Sequence, residues 1–368
     1  MCNGKEIKIM KGQLILENGQ RFSGEMFGAI KDIAGEIVFT TNMTGYQETL
    51  TDPSYAGQIV TMTFPLIGNY GINLDDSEAK HTNLKAFVVR EKCDFPSNFR
   101  NEMNLSDFLE EEGVVGLEGV DTRALTRIIR DYGCMKAVIM KGEPSDADVK
   151  ALMETLDNSR VILETTTSEQ YVINPDGKTH VAFIDMGAKD GILRELKKRD
   201  CKITVFRADV KPEEIESVKP DMVFLSNGPG DPLDAPGTVD TVKALIGKMP
   251  VCGICMGHQI ISLALGCKTA KLKFGHHGGN HPVKNLTNGK IEIATQNHSY
   301  AVCEDSVKNT DLEVTHIDIM DNTVAGLSCK KDKIFSVQYH PDSLPGDGDG
   351  CYLFNEFINT MKEGQKNA

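Results

Sequence analysis

The sequence has no long hydrophobic run and no excess of positive charge. No window approaches about 18 consecutive apolar residues, and residues 1–19 contain no continuous apolar segment, so we expect neither a membrane span nor a secretion signal. Lys and Arg number 40 against 53 Asp and Glu, which gives a formal net charge of −13. Nucleic acids are held by clustered positive charge, so we expect no nucleic-acid partner.

Disulfide bonds are not expected, although the 368 residues include ten cysteines. In a chain without a secretion signal, dispersed cysteines indicate reduced thiols in a cytoplasmic protein. The composition, with 40% hydrophobic and 25% charged residues, is ordinary for a soluble globular protein. At roughly 150 residues per domain, the length predicts two domains.

The N-terminal part of the chain is predicted to be strand-rich. Short β-branched runs separated by Gly, Asp, Asn and Pro are typical of strands, and they occupy residues 12–17, 36–41, 58–63 and 85–90. Residues 121–132 carry a capping Asp, apolar residues at helical spacing and a following Gly133, which together predict a helix. We therefore expect an α+β domain over residues 1–170.

A second domain, residues 178–366, follows a polar segment with a Pro-Asp-Gly turn signal. Short apolar runs alternate with helical patterns from residue 180 to residue 265, and strand-like sequence returns between residues 271 and 338. Buried strands that alternate with helices indicate a parallel sheet covered on both faces. We expect an α/β domain with a doubly wound, mostly parallel sheet.

The sequence PVCGICMGHQ, residues 250–259, is the strongest indication of chemistry. Cys255 lies between Gly253 and Gly257, after an apolar run and before a helical pattern, which is the cysteine version of a nucleophile elbow. A following helix N-terminus favours the thiolate and can stabilise an oxyanion. Two other interpretations stay open: a buried structural cysteine, or a redox or zinc pair with Cys252, although no second C-x-x-C is present.

A base and an anion-binding loop follow other apolar runs. His340, in the sequence FSVQYHPD, comes after a strand-like run, and Asp342 is two residues further on. The loop LSNGPGDP, residues 225–232, follows another such run, and its glycines permit close backbone approach. Because sites in parallel sheets gather at the carboxyl ends of strands, we expect His340 to reach the same edge as Cys255.

Two further features bear on cofactors. The glycine-rich sequence GHHGGNHP, residues 275–282, holds three histidines, and we expect an irregular loop there and not a zinc centre. No G-x-x-x-x-G-K-[ST] spacing occurs, so the chain shows no recognisable ATP site.

Taken together, LSNGPGDP, GICMGHQ, QNHSYAV and VQYHPD resemble the class I glutamine amidotransferases. Among these amidotransferases, the chain is most similar to the small, glutamine-hydrolysing subunit of carbamoyl phosphate synthetase. This further resemblance lies in three segments, residues 44–71, 116–130 and 273–283. The family implies that Cys255 attacks glutamine, His340 transfers protons and Asp342 orients His340. It also implies glutamine contacts at eight further positions: Ser54, Gly228, Gly230, Met256, Gln259, Asn297, Ser299 and Tyr300.

The resemblance also implies partners. Ammonia would pass to a large synthetase subunit that carries ATP and Mg²⁺ and makes carbamoyl phosphate for pyrimidine or arginine synthesis, while this chain would hold no cofactor and no metal. The alternatives are a glutaminase subunit of another amidotransferase complex, and a catalytically silent scaffold for the large subunit. The scaffold is conceivable because Asp342 replaces the usual Glu and Ser299 the usual Gly.

Overall fold

A computed structural model of the chain describes residues 10–342 and 352–362. These residues form two compact units: residues 10–51 with Gly57–Asp157, and Asp52–Ala56 with the described residues from Asn158 onward. Units defined by contacts need not coincide with domains defined by sequence, so the boundaries 1–170 and 178–366 stay a prediction.

The first unit is built around a closed barrel with the strand order β1-β2-β8-β6-β4-β3-β9, in which β3, β4, β6 and β8 run parallel and the remaining pairs are antiparallel. The short strands β5 and β7 form a separate pair. The strands of this unit are β1 (Met10–Leu16), β2 (Arg21–Gly28), β3 (Ile33–Thr40), β4 (Gln58–Met62), β5 (Leu66–Ile67), β6 (Ala86–Val88), β7 (Glu91–Lys92), β8 (Val115–Glu118) and β9 (Met135–Lys141). Its helices are α1 (Tyr46–Thr51), α2 (Leu105–Glu111), α3 (Thr122–Tyr132) and α4 (Asp146–Glu154).

The predicted helix at residues 121–132 is confirmed as α3. The Asp121 side chain accepts a hydrogen bond from Ala124 N at 3.0 Å, and Gly133 ends the helix with a φ of 97°. Such a cap and stop fix both ends of the helix from local sequence alone. The four predicted strands are confirmed as β1, β3, β4 and β6, whereas β2 and β8 were not predicted.

The second unit contains a ten-stranded sheet with the order β10-β12-β11-β13-β14-β19-β18-β17-β15-β16. The five strands from β12 to β19 in this order are parallel, and the flanking strands are antiparallel. The strands are β10 (Tyr171–Ile173), β11 (Thr179–Asp185), β12 (Cys201–Arg207), β13 (Met222–Leu225), β14 (Val251–Ile254), β15 (Thr269–Asn285), β16 (Ile291–Val302), β17 (Glu313–Asp318), β18 (Val324–Cys329) and β19 (Ile334–Val337). The helices are α5 (Val161–Thr165), α6 (Asp190–Lys198), α7 (Pro212–Ser217), α8 (Pro236–Leu245), α9 (Met256–Ala264), α10 (Glu304–Val307) and α11 (Tyr352–Lys362).

Helices cover both faces of the parallel strands. Within β13, Val223 and Leu225 join a hydrophobic cluster with α8 and α9, whereas Phe224 joins a second cluster with α6 and α11. Alternate residues of a strand point to opposite faces, so each face has its own core. This arrangement confirms the predicted doubly wound α/β domain and explains why its central strands are apolar throughout.

The predicted irregular loop at residues 275–282 is wrong, because this segment lies within β15. His276 pairs with His298 and Gly278 with Gln296 on β16, and register shifts on either side of residues 276–278 accommodate the glycine-rich sequence. Bulges of this kind let a strand continue past residues that favour turns. Separately, none of the helices in the described stretches of chain has the length and hydrophobicity to cross a membrane.

Candidate active site

Cys255 lies at a sharp turn between β14 and α9, with a φ of 53° and a ψ of −104°. This is an unusual backbone conformation for a residue with a side chain, and such strain is typical of a nucleophile elbow. The neighbours must be small. A Cβ on Gly257 would lie 2.5 Å from Leu225 O, and a Cβ on Gly253 would lie 2.8 Å from the carbonyl carbon of Gly257. Packing therefore requires the predicted G-x-C-x-G pattern.

His340 comes from the strand next to the elbow. Strands β14 and β19 are parallel, with Ile254 opposite Val337, and His340 follows three residues later. Its backbone N–H bonds Thr295 O at 2.9 Å, and its ring is fully buried. The Cys255 sulfur is close enough to raise the pKa of His340. The structure thus brings the predicted nucleophile and base together at one sheet edge.

Asp342 lies beside His340 and is also fully buried. Its Oδ1 is 3.5 Å from His340 Nδ1, which is longer than an ordinary hydrogen bond. Its Oδ2 is 3.2 Å from the ammonium nitrogen of Lys189, whose side chain is also buried. Lys189 was missed from the sequence, although it follows β11 at the same edge of the sheet. The third member of the predicted triad is therefore held by an ion pair as well as by the imidazole.

The charges of these groups support one another. Burial of the ring lowers the pKa of His340. Asp342 and Cys255 raise this pKa by more than burial lowers it, and the net value is about 10. Burial raises the pKa of Asp342, whereas Lys189 and His340 lower it more, and the net pKa lies well below the ordinary value. The arrangement therefore favours a protonated imidazole that faces the sulfur and an ionised carboxylate behind it.

Two backbone amides are available near the nucleophile. Among the residues that the structure describes, the N–H groups of Gly228 and Met256 have no hydrogen-bond partner. Both follow neighbouring parallel strands, β13 and β14, and Gly257 N bonds Ser226 O at 2.9 Å between the two loops. A Cβ on Gly228 would lie 2.4 Å from Met186 O, so only glycine fits there. Gly230, with a φ of 84°, is exposed in the same loop.

Gln259, Ser299 and Tyr300 lie close together. Gln259 Nε2 donates to Tyr300 O at 2.6 Å and to Gln338 Oε1 at 3.0 Å, which ties α9 to β16. Ser299 and Tyr300 belong to β16 and are partly exposed. Because Ser299 has extended strand backbone, its position does not demand glycine, and the departure from the usual Gly carries no backbone penalty.

Ser54 and Asn297 also belong to the hydrogen-bonded residues around the active site. Ser54 Oγ accepts a hydrogen bond from Asn227 Nδ2 at 2.9 Å. Asn297 O lies 3.6 Å from Cys255 Sγ, and Asn297 Nδ2 donates to Asp52 Oδ2 at 2.8 Å. Asn227 and Asp52 were not predicted as site residues, although Asn227 belongs to the loop LSNGPGDP and Asp52 to the segment at residues 44–71. Ser54 and the other predicted contacts therefore lie within the same compact unit as Cys255.

Cys252 takes no part in this arrangement. Its Sγ lies 3.9 Å from Phe357 O, and burial raises the pKa of its thiol to about 12. Cys255 Sγ instead faces Asn297 O, and both cysteines are free thiols. The geometry does not support the alternative of a redox or zinc pair formed by Cys252 and Cys255.

The histidines of β15 form a hydrogen-bonded cluster near the site. His276 contacts Gln296 Oε1 at 3.1 Å and Asp321 Oδ2 at 2.8 Å, and His281 contacts Asp318 Oδ2 at 3.1 Å. Donor atoms of His276, His281 and Asp318 lie within 4.8 Å of one another. These side chains already hydrogen-bond one another and the neighbouring Gln296 and Asp321, so a metal would have to displace those partners. Our expectation of no metal stays a prediction.

The elbow cysteine, the neighbouring histidine and the carboxylate behind it define the class of this domain. The family model described as glutamine amidotransferase class-I matches residues 182–360. This match confirms the amidotransferase fold and the class of enzyme predicted from the four sequence motifs.

The chain belongs to the carbamoyl phosphate synthase small chain family. The family model described as carbamoyl-phosphate synthase small chain, CPSase domain, matches residues 14–139. A carbamoyl phosphate synthase small chain from Clostridium perfringens is 51% identical over 95% of this chain and 99% of its own length. One from Bacillus cereus is 50% identical over 97% of this chain and 99% of its own.

Among solved structures, a glutamine amidotransferase from Thermotoga maritima covers 51% of this chain and 83% of its own, with 14% identity and a TM-score of 0.37. At that TM-score the likeness is weak. The relatives from Clostridium and Bacillus and the two family models confirm the resemblance to the small, glutamine-hydrolysing subunit that the sequence motifs indicated.

Proposed function

We propose that this chain hydrolyses L-glutamine through a thioester on Cys255 and delivers the ammonia to a carbamoyl phosphate synthetase large subunit. The observation that carries the proposal is the placement of His340 just after β19, next to the elbow of Cys255 and 3.5 Å from the Asp342 carboxylate. A nucleophile beside a base, with a third group that orients the base, is the arrangement that acyl transfer requires.

The first half of the reaction forms the thioester. The Cys255 sulfur, having given its proton to His340, attacks the side-chain amide carbon of glutamine. The resulting oxyanion is stabilised by the N–H groups of Gly228 and Met256, which have no other partner among the described residues. His340 then returns the proton to the nitrogen, the C–N bond breaks and ammonia leaves. The Asp342 carboxylate beside the ring favours the imidazolium until the leaving nitrogen takes its proton.

The second half hydrolyses the thioester. His340, now neutral, takes a proton from water, and the hydroxide attacks the thioester carbon. The C–S bond breaks, glutamate leaves, and the proton restores the starting pair of Cys255 and His340. Lys189 keeps Asp342 ionised throughout, so the carboxylate can face the imidazolium in both halves.

The remaining predicted residues would hold the substrate. Ser54 Oγ already accepts from Asn227 Nδ2, so its hydroxyl hydrogen is available to an acceptor on glutamine. The other proposed contacts are Gly230, Gln259, Asn297, Ser299 and Tyr300. We propose no cofactor and no metal in this chain.

Synthesis of carbamoyl phosphate from the ammonia needs ATP, bicarbonate and Mg²⁺, which we assign to the large subunit. The support for this division is the family membership together with the lack of a P-loop spacing. We also infer a cytoplasmic location and a role in pyrimidine or arginine synthesis. All eight cysteines in the described part of the chain are free thiols, which fits a reducing compartment.

The test is steady-state glutamine hydrolysis by Cys255→Ala, with Cys252→Ala as the matched control. We expect Cys255→Ala to lose turnover and Cys252→Ala to keep it, because the Cys252 thiol faces α11 and not the site. Mass spectrometry of the wild type quenched during turnover is expected to detect a glutamyl adduct on Cys255. Retained hydrolysis in Cys255→Ala would contradict the proposed chemistry.

A further inference from the structure

One acidic side chain connects the segment Asp52–Ala56 to the strand β16. Asp52 is buried, its Oδ1 accepts the backbone N–H of Ser54 at 2.9 Å, and its Oδ2 accepts Asn297 Nδ2 at 2.8 Å. The backbone oxygen of Asp52 also accepts Tyr55 N at 3.1 Å, which closes a short 3₁₀ turn over Pro53–Tyr55. Asp52 therefore joins the turn that carries Ser54 to the strand β16.

The bond between Asp52 and Asn297 has one allowed direction. Asn297 Nδ2 faces a carboxylate oxygen and must donate to it, which leaves Asn297 Oδ1 as the acceptor for His277 Nδ1 at 2.8 Å. His277 therefore carries its hydrogen on Nδ1. Its ring also lies against that of Tyr55, with the two centroids 5.9 Å apart. Flipping the Asn297 amide would break the bond to Asp52 and would require the other tautomer of His277.

Asn297 also borders the nucleophile, since its backbone oxygen lies 3.6 Å from Cys255 Sγ. Ser54 is held at its other end by Asn227, whose Nδ2 donates to Ser54 Oγ at 2.9 Å and whose Oδ1 accepts Lys189 N at 3.0 Å. The position of Ser54 relative to Cys255 is thus determined by two buried amide side chains and one carboxylate.

We propose that Asp52 is a positioning residue for glutamine binding: its pair with Asn297 latches the turn Pro53–Tyr55 against β16 and so presents Ser54 to the substrate. This inference rests on the proposed function, because it assumes that Ser54 contacts glutamine. Asp52 itself touches neither the Cys255 sulfur nor His340 in the contacts described above. Its loss is expected to weaken glutamine binding and to leave the chemistry of the nucleophile in place.

The test replaces the acceptor in the hydrogen bond between Asp52 and Asn297 by a donor, in the full chain. Asp52→Asn keeps the size and the acceptor for Ser54 N, but it places an amide NH₂ against the NH₂ of Asn297. We expect KM for glutamine to rise about tenfold or more, the factor given by losing one buried hydrogen bond, while kcat changes little.

Two further readouts separate positioning from general damage. The rate of Cys255 alkylation by iodoacetamide does not depend on Ser54, so it is expected to match the wild type in Asp52→Asn. In a Ser54→Ala background, Asp52→Asn is expected to add little to KM, because both changes remove the same contact. Asp52→Ser, which keeps an oxygen for capping Ser54 N but cannot reach Asn297, is expected to raise KM in the same way if Asp52→Asn does not fold.

Two results would overturn the inference: an unchanged KM in Asp52→Asn and Asp52→Ser, or alkylation and kcat that fall together with binding. The proposed function is judged separately, by the wild type. A wild-type chain without Cys255-dependent turnover refutes the proposed function. An active wild type whose KM for glutamine is unchanged by Asp52→Asn refutes only the positioning role of Asp52.

Discussion

The ammonium nitrogen of Lys189 lies 3.2 Å from Asp342 Oδ2, and both side chains are buried. Asp342 thus has a cation on one side and His340 on the other, 3.5 Å away. Two opposite charges without access to water keep each other ionised. The carboxylate is shorter than the Glu that is usual at this position, and the lysine provides a second restraint on its place and its charge.

Replacing Lys189 by Met is expected to leave a buried carboxylate without its ion-pair partner. Breaking a buried pair typically costs about 3–5 kcal/mol, so we expect lower stability in urea unfolding together with a lower kcat. The matched control is Lys308→Met, because the ion pair of Lys308 with Asp305 is exposed and should contribute nothing measurable. Equal stability of the two variants would contradict the proposed role of Lys189.

Asp342→Asn is expected to reduce kcat on the order of 10²-fold, within the range for impaired acid–base catalysis. The neutral amide no longer raises the pKa of His340, so the imidazole is a weaker base and takes the proton of the Cys255 thiol less readily. KM should change little, since Asp342 faces His340 and Lys189 and is not among the proposed glutamine contacts. Steady-state kinetics measure both parameters, with Asp305→Asn as an exposed control, and a full kcat in Asp342→Asn would remove Asp342 from the mechanism.

The raised pKa of His340 predicts a dependence of stability on pH. In the folded chain this pKa is about 10, against an ordinary value of 6.5. In the proposed mechanism this proton comes from the Cys255 thiol, and in the unfolded chain an ordinary thiol keeps it up to about pH 8.5. The folded pair therefore binds one proton more than the unfolded chain only between about pH 8.5 and pH 10, and its contribution to stability is lost as the pH rises through that window. Urea unfolding across this window should show a steeper decline for the wild type than for His340→Asn. Parallel declines would mean that His340 has no raised pKa.

Gly257→Ala is expected to disrupt the elbow. The added Cβ would lie 2.5 Å from Leu225 O and 2.7 Å from Leu225 Cβ, so α9 or β13 would have to shift. We expect loss of turnover and of soluble, folded protein, measured by activity and by thermal unfolding. Gly237→Ala is the control, because a Cβ there meets nothing within 4 Å and alanine favours the helix α8. A Gly257→Ala variant with the activity of Gly237→Ala would contradict the packing argument.

Local signals explain what the sequence predicted well. The helix α3 follows a capping Asp and ends at Gly133, and the elbow at Cys255 needs small neighbours on both sides. Both features can be predicted because the residues that determine them are adjacent in the sequence. Closure of the barrel was not predicted, because β2 and β8 have few consecutive apolar residues and depend on partners elsewhere in the chain.

Lys189, Asp52 and Asn227 were missed for a related reason. Each lies in a connection between elements, and its role depends on one partner that the fold supplies: Asp342 for Lys189, Asn297 for Asp52 and Ser54 for Asn227. The histidines of β15 were assigned to a loop because glycine favours turns, whereas pairing with β16 overrode that local preference.

The central claim is that Cys255 produces ammonia for a synthetase partner. The most direct test measures ammonia release from glutamine by the wild type and by Cys255→Ala, first for the chain alone and then with the large subunit, ATP and bicarbonate. We predict release that depends on Cys255, increases with the partner and yields carbamoyl phosphate, while Cys255→Ala supports synthesis from added ammonia only. Absence of release by the wild type in both states would contradict the claim and would favour a silent scaffold in its place.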